Sequence, residues 1–280
     1  MTPTLALVLA FVVGACIGSF LNVCIARWPR ELSVVRPPSR CPRCGYRIRW
    51  YENIPLASWV ALRGRCRCCE EPISVQYPLV ELVVGLTWLT AFWQLGVTLE
   101  ALRVAVFVTI LLGVAITDAK HYLIPDGFTL FGLFWAIGSA VIAYILAEPS
   151  RFADPKDALI GACAGAGMIA IAGWLGEVAL KKEAMGLGDV TLMAFAGAAL
   201  GPAMAIVTVF VAALLGTLVF LGVVYPITWA RRSAFQQQTE LALGAVRVEP
   251  PPVPFGVFLA PAAVVTLLWG NALISWIYRA

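Results

Sequence analysis

Charge is the scarcest property of this chain. Asp, Glu, Lys and Arg make up 13% of its 280 residues, against 61% hydrophobic residues, and the mean hydropathy is +0.86. That balance excludes a soluble globular domain. Other absences narrow the field. No glycine-rich loop follows a strand pattern, so nothing signals a dinucleotide or nucleoside cradle. No internal repeat is evident, and no nucleic acid partner is expected. Nothing basic precedes the first apolar run, whose cations Arg27 and Arg30 come after it. That is the reverse of a cleavable signal peptide, so the run is expected to remain as a membrane span.

What is present is a series of apolar runs close to the roughly 20 residues needed to cross a bilayer. They fall near 4–26, 79–96, 101–117, 128–147, 157–179, 189–200, 203–229 and 255–277. The expected fold is an all-α polytopic membrane protein of about eight transmembrane helices. Its weakest pair is 189–200 and 203–229, where the first run is short and Gly201-Pro202 intervenes. Arg27, Arg30, Arg36, Arg40, Arg43, Arg47, Arg49, Arg63, Arg65 and Arg67, half of the 20 Lys and Arg, lie between the first two runs. The positive-inside rule puts that segment in the cytoplasm and the N-terminus outside. Lys120, Lys181, Lys182, Arg231 and Arg232 then also fall on the cytoplasmic side, while the outer loops 97–100 and 148–156 hold few cations.

Residues 27–78 form the one polar module, and a second polar stretch near 230–254 reads as a loop, extended at Pro250-Pro251-Pro252. The small-residue tract Gly161 to Gly167 reads as a close helix-packing surface in lipid. Of the eight cysteines, Cys16, Cys24 and Cys163 lie in apolar runs and are expected in the core. The other five, Cys41, Cys44, Cys66, Cys68 and Cys69, lie in the module. Cys41-Pro42-Arg43-Cys44 and Cys66-Arg67-Cys68-Cys69 are two Cys-x-x-Cys knuckles, the paired turns that a tetrahedral zinc ion requires. A reducing cytoplasm disfavours disulfides there. Four thiolates leave no open position, so such a zinc is structural, and it would supply much of the module's folding energy. Cys69 keeps the Cys-x-x-Cys spacing and is the expected fourth ligand, with Cys68 the alternative.

Ionisable groups at membrane depth cost at least roughly 2.5–3.5 kcal/mol on insertion scales and are functional candidates by default. Asp118, in Ile116-Thr117-Asp118-Ala119-Lys120, and Asp189, after Gly186-Leu187-Gly188, stand at span ends on the same expected face. The bland alternatives are an interfacial Asp118 paired with Lys120 and an Asp189 that caps a helix. Asp126, in Pro125-Asp126-Gly127, reads as a turn or cap residue. Two carboxylates held together share a proton, the equipment of an aspartic protease.

Gly18 to Val23, the knuckles with Trp50 to Pro55 between them, Tyr77 to Leu82, Asp118 to Asp126 and Met185 to Asp189 together resemble the bacterial type IV prepilin peptidases, the leader peptidase/N-methyltransferases. The resemblance runs along nearly the full length. It implies an endopeptidase that removes a basic leader, after a glycine, from type IV prepilins or type II secretion pseudopilins at the cytoplasmic face of a bacterial inner membrane. It also implies N-methylation of the new N-terminal residue by S-adenosylmethionine. The family's catalytic aspartates fall on Asp118 and Asp189, and its zinc cysteines on Cys41, Cys44, Cys66 and Cys69. The implied domains are 1–26 (first span), 27–78 (zinc module) and 79–280 (peptidase core). Glu81 is the candidate contact for the new amine or the methyl donor; Asn22 is expected to bond between helices. Two alternatives are a peptidase without methyltransferase activity and a zinc-stabilised membrane scaffold or transporter whose aspartates bind a cation.

Overall fold

The computed structural model describes residues 3–181, 185–226 and 254–277. The expected loop at 230–254, apart from its last residue, lies outside the described residues, as do Lys182, Arg231, Arg232 and the end of the run read at 203–229. The described chain is helical: α1 (Pro3–Arg27), α2 (Ala57–Ala61), α3 (Gln76–Leu95), α4 (Leu99–His121), α5 (Asp126–Ile145), α6 (Pro155–Leu180), α7 (Leu187–Leu200), α8 (Pro202–Val219) and α9 (Gly256–Ile277). Its β-pairing, among the described residues, consists of the isolated bridges Arg40–Arg47 and Arg65–Pro72 in the polar module.

Among the described residues, seven helices are long and apolar enough to cross a membrane: α1, α3, α4, α5, α6, α8 and α9. The eighth apolar helix, α7, has 14 residues. At about 1.5 Å per residue it spans about 21 Å, short of the roughly 30 Å hydrocarbon core. Gly201, at φ 85°, ends it, and Pro202 starts α8 at once.

Local signals explain the other boundaries. Thr98 accepts a hydrogen bond from Ala101 N (3.2 Å) at the start of α4, and Asp154 accepts one from Asp157 N (2.8 Å) at the start of α6. Tyr122, in the left-handed region, closes α4 by donating its N–H to Asp118 O (2.9 Å). Pro125, not Asp126, occupies the cap position of α5, and Asp126 sits in the first turn without a side-chain cap bond. Pro125's fixed φ suits that junction.

In lipid, helices associate through close packing rather than through water exclusion, so small residues mark the seams. A Cβ at Gly14 would stand 2.7 Å from Trp88 Cβ, and one at Gly18 2.8 Å from Glu81 Cα, so α1 and α3 run in near-backbone contact. The α6–α7 seam is tighter still: a Cβ at Gly161 would collide with the Gly197 carbonyl, one at Gly197 with the Gly161 carbonyl, and one at Gly165 with the Met193 carbonyl. These seams explain two cysteines. Cys16 lies midway between Gly14 and Gly18, and Cys163 midway between Gly161 and Gly165. Two residues on is about 200° around a helix, so both point away from the seam and are exposed, while Cys24 is buried as expected.

Gly161→Leu is expected to destabilise the protein by about 3 kcal/mol, the upper range for overpacking, because the obstruction is a backbone carbonyl. Gly167→Leu, in the same tract but with nothing within 4 Å of its Cβ position, should be close to neutral. Thermal unfolding in detergent compares them; equal melting points would remove the seam from the account.

Candidate active site and metal centre

Both knuckles have one design. Cys41 N donates to Tyr46 O and Gly45 N to Cys41 O; likewise Cys66 N donates to Glu71 O and Glu70 N to Cys66 O, all at 2.9 Å. The isolated bridges flank these turns, and Gly45 and Glu70 take the matching positive φ, 71° and 57°. The two turns face each other. Cys41 Sγ lies 3.9 Å from Cys69 Sγ, Cys44 Sγ lies 3.9 Å from Cys66 Sγ, and all four sulfurs fall within 4.8 Å of one another. Thiolates about 2.3 Å from a tetrahedral zinc stand about 3.8 Å apart, so the cluster could hold that ion. Cys68 is exposed and outside the cluster. The backbone N–H groups of Cys44 and Arg43 hold the Cys41 thiol down, at about 7, whereas burial and the neighbouring sulfurs push the Cys44 and Cys69 thiols up.

Glu52 ties the knuckles together. It accepts from Arg49 N (3.0 Å) and from the Tyr46 hydroxyl (3.2 Å) beside the first, and from Arg67 Nη1 (3.0 Å) within the second. The Arg49 N–H, then the Arg67 guanidinium and the Tyr46 hydroxyl, hold its carboxyl below the usual carboxylate range. The module meets the membrane helices at Leu56, a non-glycine residue at φ 62°, whose N–H donates to Glu81 Oε2 (2.8 Å). Glu81 is buried, and one of its oxygens therefore clamps the module to α3. One turn away, Asn22 Nδ2 donates to Tyr77 O (3.1 Å), the expected bond between α1 and α3, while Asn22 Oδ1 is buried without a partner among the described residues.

Asp118, in the last turn of α4, is 5% exposed. It does not pair with Lys120, whose ammonium donates to Gln76 Oε1. Its Oδ2 accepts from Val257 N at 3.0 Å, across 139 residues, and so satisfies an N–H at the start of α9. Asp189 lies in the first turn of α7 but does not cap it; Gly186 holds the cap position, and Asp189 Oδ1 is buried with no hydrogen-bond partner among the described residues. Both bland readings are thus unrealised. The two carboxyl groups lie within electrostatic reach of each other. Ile124 fills the space beside them. A Cβ at Gly188 would be 2.9 Å from Ile124 Cβ, and one at Gly256 would be 2.8 Å from both Ile124 Cδ1 and Asp118 Oδ2. Glycine at both positions lets the two helix starts close around the pair. Gly256 was not singled out in the sequence, although Pro254-Phe255-Gly256 ahead of the last apolar run is a turn signal.

Residues 12–95 match the bacterial peptidase A24 N-terminal domain, and residues 105–221 match the type IV leader peptidase family. The chain is similar to a prepilin leader peptidase/N-methyltransferase of Stutzerimonas stutzeri, 35% identical over 98% of this chain and 94% of that protein. It is also similar to the Pseudomonas aeruginosa protein of that name, 33% identical over 96% of this chain and 92% of the relative. The Myxococcus xanthus protein of that name is 45% identical over 68% of this chain, a match that spans 55% of the relative's length. No solved structure matches.

Cys69→Ser is expected to lower bound zinc from about one ion per chain to none, and Cys68→Ser to leave it unchanged; metal analysis of the purified proteins checks both. Glu52→Gln should weaken the module at neutral pH. A carboxyl whose pKa is depressed on folding stabilises above its unfolded value, near 4.3, and loses that contribution as pH falls through the folded value. The gap in protease resistance between the parent and Glu52→Gln should therefore be full at pH 7 and shrink below about pH 4. A gap that widened on acidification would contradict the assignment.

Proposed function

The chain belongs to the type IV leader peptidase family, and we propose that it is an intramembrane-type aspartic endopeptidase with a second, methyltransferase activity. It cleaves the basic leader of type IV prepilins or pseudopilins after a glycine, at the cytoplasmic face of a bacterial inner membrane. It then N-methylates the new N-terminal residue with S-adenosylmethionine. The observation that carries the reading is that Asp118, buried, and Asp189, half-buried, come from helices far apart in sequence to either side of Ile124, within electrostatic reach of each other.

A carboxyl pair that shares one proton performs the hydrolysis. The ionised member takes a proton from water, and the water oxygen forms a bond to the scissile carbonyl carbon. The protonated member hydrogen-bonds the carbonyl oxygen and then gives its proton to the leaving amine as the C–N bond breaks. The pair titrates as a unit, so neither role belongs to one residue. Glycines 186, 188 and 256 remove side-chain bulk beside the carboxylates, which suits an extended peptide. The substrate's apolar helix would lie in lipid while its cleavage point sits at the interface, and the arginine-rich module on that face supports the cytoplasmic orientation.

Zinc bound by Cys41, Cys44, Cys66 and Cys69 is structural in this reading. It folds a module that has little apolar core of its own. Glu81 is proposed to contact the new amine or the methyl donor through Oε1, since Oε2 is engaged by Leu56 N. The partners are prepilin or pseudopilin precursors and membrane lipid, with no nucleic acid.

Purified protein in lipid nanodiscs, given a prepilin and labelled methyl donor, tests the reading. Asp118→Asn and Asp189→Asn are each expected to cut cleavage at least about a thousandfold while insertion and zinc content persist. Cleavage near the parent rate by either variant ends the dyad. Cleavage without label transfer would leave a peptidase alone.

A further inference from the structure

The outer half of α4 holds a charge that the proposed chemistry does not use. Arg103 is 1% exposed, inside an apolar span and about four turns of helix from Asp118. Its Nε donates to Ser139 Oγ of α5 (3.1 Å) and its Nη1 to Ser150 Oγ of the α5–α6 loop (2.6 Å). The guanidinium lies 4.5 Å from the centre of the Phe152 ring, and Nη2 is buried without a partner among the described residues. A cation this deeply buried in a membrane helix needs a reason.

The reason lies in what the loop does next. Ser150 Oγ also donates to Glu100 Oε2 (2.6 Å), Arg151 N donates to Glu100 Oε1 (2.9 Å), and Phe152 N donates to Ser150 Oγ (3.1 Å). Ser150 and Arg151 are therefore bonded to α4, and Phe152 meets it through its ring, beneath Arg103 and against Phe107. The following residue, Ala153, donates its N–H to Ala199 O (2.8 Å), one of the last carbonyls of α7. Phe107 of α4 packs on Phe152 (5.7 Å between centroids) and on Phe195 of α7 (5.2 Å), and so continues the same connection. Since α7 is too short to reach the outer surface, its final carbonyls need donors from protein folded inward to meet them. The loop supplies one, and Arg103 holds the loop.

We propose that Arg103 is a positioning residue: through Ser150 and Phe152 it sets the axial height of α7, and with it the level of Asp189 against Asp118. This rests on the two-aspartate reading for its catalytic consequence, but not for its geometry. Single helices link the two levels: α4 carries Arg103 near one end and Asp118 at the other, while α7 carries Ala199 and Asp189 near its two ends.

The test uses the full chain in nanodiscs and two readouts. In the first, Asp118→Cys and Asp189→Cys are combined, and the disulfide between these positions, identified by peptide mass, is timed under mild oxidation. In the second, leader cleavage is measured with the aspartates intact. Arg103→Met should slow the cross-link several-fold and lower kcat about tenfold or more with KM little changed, because small misplacements of catalytic groups are costly. Arg103→Lys should fall between. If Arg103→Met does not fold, Ser139→Ala and Ser150→Ala each remove one hydrogen bond and should slow the cross-link to a lesser degree. A folded Arg103→Met protein, or folded Ser139→Ala and Ser150→Ala proteins, with the parent's cross-linking rate would overturn the proposal. A slowed cross-link alongside an Asp118→Asn protein that still cleaves would uphold the positioning role and reject the dyad.

Discussion

Contact between the backbones of α6 and α7 is the constraint on which the rest of the structure depends. A short apolar helix in a bilayer gains little from burial, because lipid is as apolar as its neighbours. What holds it is dispersion and exact fit at close range, and that requires the side chains to be absent. Gly161, Gly165 and Gly197 meet this condition: each would drive a methyl group into the opposing carbonyl. Because α7 lies against α6 at that distance, its first turn can bring Gly188 against Ile124, with Asp189 beside it. The same logic, with Gly14 and Gly18, sets α1 on α3 and places Asn22 and Glu81 at the root of the polar module.

The module solves a different problem. It contains too many arginines to collapse on an apolar core, so its shape comes from two identical turns drawn together by four sulfurs and cross-tied by Glu52. Glu81 to Leu56 on one side and Asn22 to Tyr77 at the seam below fasten it to the membrane helices, and Trp28 packs on Phe128 of α5. The mutual repulsion of the arginines is offset locally, as where Arg43 pairs with Glu71 at 3.0 Å.

Features encoded locally were readable in the sequence. Cys-x-x-Cys spacing specifies a turn by itself, so spacing favoured Cys69 over Cys68 beside Cys41, Cys44 and Cys66, and the sulfurs of those four are the ones that cluster. The aspartates stood out because they interrupt or border apolar runs, and the short helix before Gly201-Pro202 was visible as a weak span. Features that depend on distant partners were not readable. Asp118 meets Val257 across the chain, and no pattern near either residue announces it. Arg103, close to the start of an apolar run, looks like an ordinary interfacial cation; its burial becomes evident only when Ser139 and Ser150 fold over it. Cys16 and Cys163 were expected in the core because their runs are apolar, yet the glycines on either side of each claim the inner face. Asp126 lost the cap position to the proline before it.

The bond from Val257 N to Asp118 has a bearing on how the protein is made. Helix α9 is the last described element to leave the ribosome, and its first turn completes the surroundings of a carboxylate synthesised well over a hundred residues earlier. Until that helix enters the membrane, Asp118 lacks its N–H donor and Gly256 does not close over Ile124. A half-translated chain therefore has unfinished surroundings for that carboxylate, which only the last described helix completes.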